Sequence, residues 1–159
     1  MTPSSPHDRI ILAAQGYLEL GMFDHARKEI DLLADDAKGG PEALEILALS
    51  LMGQSRWVEA LDLASALCEL RPKEPGGHIH KAYCLHELGR TEEALRVLLD
   101  GPEVLKRKSV FFYNAGCYYA KLGRVDEAVA MLEKSFELDE GLRRSAKRDP
   151  DLVSIKALF

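Results

Sequence analysis

Four alanines, Ala26, Ala60, Ala94 and Ala128, stand 34 residues apart, and each closes a turn of the same kind: LGMFDHA, QSRWVEA, LGRTEEA and LGRVDEA. A fixed period of this length admits few architectures. It is the signature of helix–turn–helix units stacked along one axis, each burying its apolar face against the next. With repeat starts set at His7, Pro41, Pro75 and Ser109, position 8 is always small (Ala14, Ala48, Ala82, Gly116). Position 11 is large and apolar (Tyr17, Leu51, Leu85, Tyr119), and position 24 holds Ile30, Ala64, Leu98 and Leu132. A small residue on each helix lets the two helices of a hairpin approach closely, and the large one fills the space beside the contact. Gly21, Gly89 and Gly123 stop the first helix by taking positive φ at little cost.

These residues at these offsets resemble the tetratricopeptide repeat family over residues 7–142. The resemblance implies an all-α, right-handed superhelix, an α-solenoid of helix–turn–helix repeats. Its expected divisions are repeats at 7–40, 41–74, 75–108 and 109–142, after a disordered tail at 1–6 and before a capping helix at 143–159. Some positions depart from the pattern. The closing proline appears only as Pro72, Ser55 stands for the second turn glycine, and Gly101-Pro102 should end the second helix of the third repeat early. In the tail, Asp149-Pro150 reads as an N-cap followed by proline at the first helical position. Leu152, Ile155, Leu158 and Phe159 follow at helical spacing, predicted to pack on the second helix of repeat four. Similar Asp-Pro-Asp-Leu endings follow the last repeat in other members of the family. Trp57, Phe23, Tyr17 and Tyr119 are the expected large core residues.

In this family the first helices line a concave groove that grips a partner. Carried over by position, the groove residues are Ile11, Gln15, Leu49, Met52, Ile79, Tyr83, His86, Tyr113 and Cys117, with Asn114 beside them to orient the partner. Most are apolar or aromatic, and an exposed patch of that character marks a binding surface. Tyrosine and methionine suit recognition because they offer large contact area. Glu19, Glu42, Glu45 and Glu87 flank the groove and favour a partner with basic residues beside an apolar segment. The slots that clamp a chaperone's C-terminal carboxylate in one subclass hold Ile11, Gln15, Ile46, Gly76 and His80, without the cations that task requires. The implied function is a non-enzymatic module that binds a peptide or helix of a partner protein. The alternatives are a homodimer that buries the same surface, and a chaperone-like secretion factor.

Other classes find little to stand on. No phosphate loop, Ser-His-Asp arrangement or carboxylate pair emerges, so no enzyme and no cofactor are expected. His80 and Cys84 share a helix face, but two ligands make a weak metal site. Cys117 could be a reactive thiol only if a cation lowered its pKa, with Lys121 the sole candidate. The net charge is −5, although residues 141–159 carry five basic side chains and two acidic ones. Arg143, Arg144, Lys147 and Arg148 lack interleaved aromatics, so nucleic acid is not an expected partner. No apolar run approaches the about 20 residues that span a bilayer, and no membrane partner is expected. Three cysteines in helical patterns read as reduced, and the expected location is cytoplasmic.

Overall fold

A computed structural model describes residues 5–159, and among these helix is the only regular element. Ten α-helices follow in order: α1 Pro6–Glu19, α2 Phe23–Ile30, α3 Asp35–Lys38, α4 Pro41–Gly53, α5 Trp57–Leu70, α6 Pro75–Glu87, α7 Thr91–Leu99, α8 Ser109–Lys121, α9 Val125–Leu138 and α10 Gly141–Ala146. Short 3-10 turns occupy Leu105–Arg107, Pro150–Leu152 and Lys156–Leu158. Helices α1 and α2, α4 and α5, α6 and α7, and α8 and α9 pack as hairpins. The chain is an all-α solenoid, and it divides into two compact units, Met1–Pro72 and Lys73–Phe159.

The periodic positions carry the packing. Ala26, Ala60, Ala94 and Ala128 are fully buried, as are Ala14, Ala48 and Ala82 opposite them. At position 24, Ile30, Ala64, Leu98 and Leu132 are also shut away from water. Each hairpin turn is closed by the same backbone bond. The N–H groups of Met22, Arg56, Arg90 and Arg124 donate to the carbonyls of Tyr17, Leu51, Leu85 and Tyr119 at 2.8–2.9 Å. That bond needs a left-handed residue just past the helix. Gly21, Gly89 and Gly123 supply it with φ of 71°, 79° and 76°, and Ser55 adopts φ 57° in the remaining turn.

In the first unit, Ile11, Ala14, Ala26, Ile30, Leu33, Ala43 and Ile46 form one apolar cluster. Ser5 caps α1 by accepting from the Asp8 N–H at 3.1 Å, and Pro6 opens the helix. The disordered tail expected over residues 1–6 is therefore corrected at its last two positions, because a side-chain cap and a proline at the first turn order them. Residues 1–4 lie outside the described residues. Helix α2 stops after eight residues, where Leu33 turns into the core and the acidic pair Asp35–Asp36 starts α3. Acidic groups suit a helix N-terminus.

In the second unit, α7 ends at Leu99 ahead of Gly101-Pro102, and Leu105 from the following turn fills the space, fully buried. Of the four large core residues expected, Tyr119 alone is buried. Tyr118 and Phe136 are the largest fully buried side chains, whereas Tyr17, Phe23 and Trp57 are only half-buried.

The tail is also not the single capping helix expected over 143–159. It consists of α10, which packs on α9, and the two 3-10 turns. The turn at Pro150–Leu152 packs on α8, the first helix of its hairpin rather than the second. Two sets of contacts hold the tail in place. Asp149 accepts the N–H of Asp151 at 3.0 Å, which closes the turn locally. Lys147 donates to the carbonyls of Lys156 (3.0 Å) and Phe159. Leu152 and Ile155 are buried, while Leu158 is exposed.

Candidate protein-binding site

The tail turn lies against α6 and α8 and closes one side of a pocket of about 490 Å³. Five of the ten groove residues expected from sequence meet there: Tyr83 and His86 from α6, and Tyr113, Asn114 and Cys117 from α8. Their spacings of three and four residues put each set on one helix face. Asp149 and Asp151 project from the tail turn onto those faces. The Tyr113 hydroxyl donates to Oδ2 of Asp149 at 2.7 Å, and the Cys117 thiol points at the same oxygen at 3.7 Å. Nε2 of His86 is 2.7 Å from Oδ2 of Asp151, and its Nδ1 is 3.0 Å from the Thr91 hydroxyl. A neutral imidazole satisfies both contacts, with Nε2–H donating to the carboxylate and the Thr91 hydroxyl donating to Nδ1.

Burial and the neighbouring carboxylates favour the protonated phenol of Tyr113 and the protonated thiol of Cys117. Burial, and then the hydrogen bond to Asp149, holds the Tyr113 phenol far above the ordinary tyrosine range. Burial pushes the Cys117 thiol well up, and the charges of Asp149 and Asp151 push it further. A carboxylate, not the cation that a reactive thiolate requires, faces the sulfur. Tyr118 packs its ring 4.7 Å from His86, and burial raises its phenol as well. Its hydroxyl is the one buried side-chain polar atom without a partner among the described residues.

The other expected site residues are placed as follows. Ile79 on α6 is half-buried outside the pocket. In the first unit Gln15 is exposed, and Leu49 and Met52 are half-buried on α4. Ile11 belongs to the core at 8% exposure, and His86 and Cys117 are buried as well. These three do not offer the open surface expected of them. Ile11 is packed by its own unit, and the tail covers the other two. Tyr83, by contrast, is 38% exposed at the pocket. Sequence reasoning took Asp149 only as a cap and gave no role to Asp151, Tyr118 or Thr91. The Asp-Pro-Asp run was the available signal, but nothing in it announces the surface it turns back upon. Among the described residues no three His, Cys, Asp or Glu side chains gather as a metal site, and no helix is long and apolar enough to cross a membrane.

Comparison with known proteins agrees with this architecture. The family model described as anaphase-promoting complex, cyclosome, subunit 3 matches residues 19–101, and the tetratricopeptide repeat model matches residues 110–141. The chain belongs to the tetratricopeptide repeat family. Among solved structures, TTC0263, a thermophilic tetratricopeptide repeat protein of Thermus thermophilus, is 19% identical with a TM-score of 0.72, covering 98% of this chain and 81% of that one. MamA (residues 41 to the end) from Desulfovibrio magneticus RS-1 is 18% identical with a TM-score of 0.75, covering 92% and 83%. Likeness at this level of identity establishes the fold. Lipopolysaccharide assembly protein B of Haemophilus influenzae is 23% identical over 148 residues, which cover 86% of this chain. The match spans only 37% of that relative's length. Tetratricopeptide repeats of this kind imply a scaffold for protein–protein interaction.

Proposed function

We propose that this chain is a non-enzymatic interaction module that holds a segment of a partner protein against the first-helix faces of its repeats, centred on α6 and α8. One observation carries the reading: four side chains chosen by repeat position, with Asn114 beside them, line a single pocket at which Tyr83 is exposed. A half-exposed tyrosine beside a preformed cavity is the anchor geometry that interaction hot spots use. The partner segment is apolar with a basic flank, since Glu87, Asp149 and Asp151 contribute carboxylates to the lining. The name of the Haemophilus relative, an assembly protein, fits a scaffold role.

The test is affinity capture from the source cell with wild type, Tyr83→Glu and Val58→Glu, each checked for helix content by circular dichroism. Val58 is 62% exposed on α5, a second helix, and serves as the control. A partner lost by Tyr83→Glu and kept by Val58→Glu supports the reading. A partner kept by both variants sinks it. A concentration-dependent dimer in light scattering that Tyr83→Glu dissolves would assign the face to self-association instead.

A further inference from the structure

The pocket of the second unit has a chemistry more specific than that of a general protein-binding face. Its acidic and strongly basic side chains are three carboxylates, Glu87, Asp149 and Asp151, against one guanidinium, Arg148. Arg148 is exposed and forms no ion pair with any of them among the described residues. The two tail carboxylates are held in place before any ligand arrives. Leu152, fully buried, anchors the turn, while the Tyr113 hydroxyl and the His86 imidazole each fix one carboxylate from the helix side. Carboxylates ordered in advance lose little entropy on meeting a cation. Tyr83 and Tyr113 line the same space, and Tyr118, 1% exposed, forms part of its wall. The Tyr118 hydroxyl is buried and has no partner among the described residues.

We propose that this pocket receives the guanidinium of an arginine on the partner polypeptide, with Asp151 and Glu87 as its counter-ions and Tyr83 as the ring it stacks on. A guanidinium fits better than an ammonium for two reasons. Its planar fork can meet two carboxylates at once, and its face stacks on an aromatic ring. Asp149 is already engaged by Tyr113 and its own turn, so it acts mainly by charge. The proposal rests on the interaction-module reading above and names the group that the module recognises.

The probe is an amidated, acetylated pentapeptide, Ala-Leu-Arg-Leu-Ala, titrated into the full chain and followed by two-dimensional NMR. The same peptide with citrulline keeps the shape and removes the charge, and a lysine version keeps only the charge. Saturable shifts should centre on Tyr83, Asn114 and Asp151 with the arginine peptide. Binding should weaken about tenfold with citrulline and by a similar factor for Glu87→Gln, a substitution at an exposed position. Lysine should rank between the two. Equal binding of the arginine and citrulline peptides, or shifts that map away from this pocket, would overturn the proposal. So would the absence of binding to any of the three at millimolar concentration. In each of these cases the interaction-module reading survives if the captured partner is still lost by Tyr83→Glu, so the two failures are told apart.

Discussion

The hydroxyl of Tyr113 and Oδ2 of Asp149, 36 residues apart in sequence, lie 2.7 Å from one another and join the last hairpin to the tail that follows it. This bond has a charged acceptor and is partly buried, so it should be stronger than an ordinary surface contact. Tyr113→Phe should cost roughly 1.5–3 kcal/mol of unfolding free energy, because it leaves the carboxylate short of a donor. Leu152→Ala should cost about 2–5 kcal/mol by opening a cavity under the same turn. Urea denaturation measures both. A negligible effect of Leu152→Ala would mean that the tail is not docked in solution.

Among the described residues Ser55 is the non-glycine residue that adopts positive φ, in a turn whose three counterparts are glycine. An L side chain in this region costs about 1–2 kcal/mol, part of which glycine returns as extra freedom in the unfolded chain. Ser55→Gly should therefore raise stability, by about 0.5–1 kcal/mol. Thermal melting of the variant gives the sign directly, and a lowered midpoint contradicts the turn assignment.

Two helical glycines predict opposite outcomes for one substitution. A Cβ on Gly16 would meet nothing within 4 Å, so Gly16→Ala should stabilise α1 by up to about 1 kcal/mol through helix propensity. A Cβ on Gly116 would fall 2.8 Å from Leu132 Cγ and 3.3 Å from the Ala128 carbonyl oxygen. Gly116→Ala should destabilise, since overpacking of about 1–3 kcal/mol outweighs the propensity gain. Equal shifts in melting temperature for the two variants would refute the close crossing of α8 and α9.

The thiols give a dependence on pH. Cys84 is wholly buried, and burial, with the Glu87 charge behind it, pushes its thiol from 9.0 to about 11. Because the folded value is raised, its contribution to stability is complete below pH 9.0 and is lost as pH climbs towards about 11. The melting temperature should be level from pH 7 to the unfolded thiol's range and then fall, with a shallower fall in Cys84→Ala. Cys68, the half-buried thiol, should react with a thiol reagent at neutral pH before Cys84 and Cys117 do. Labelling of Cys117 first would show that the tail turn opens readily.

Much of the architecture is legible in the chain because a 34-residue period fixes which side chains must be small and where each turn must reverse. Ala94, Gly116 and Gly89 state their roles by offset alone. The early end of α7 was equally plain, since Gly101-Pro102 acts locally on the backbone. The contacts of the tail were not legible. Whether Asp149 faces solvent or Tyr113 depends on a loop's path, and no periodicity constrains a segment that does not repeat. For the same reason His86 and Cys117 read as open groove positions although the tail covers them. Tyr118 was passed over because it sits one position before the residue the repeat pattern marks, yet it turns inward more completely than Tyr119.

Trp57 is the single tryptophan, and it lies in α5 within the first compact unit. Four of the five tyrosines, Tyr83, Tyr113, Tyr118 and Tyr119, belong to the second unit. The molecule thus carries two intrinsic optical labels, one for each unit. Emission excited selectively at the indole reports the first unit alone, while tyrosine absorbance weighs the second most heavily. Solenoids propagate order between neighbours, so superimposed transitions from the two signals would mark a chain that melts as one cooperative array, and separated ones a chain that loses its halves in turn.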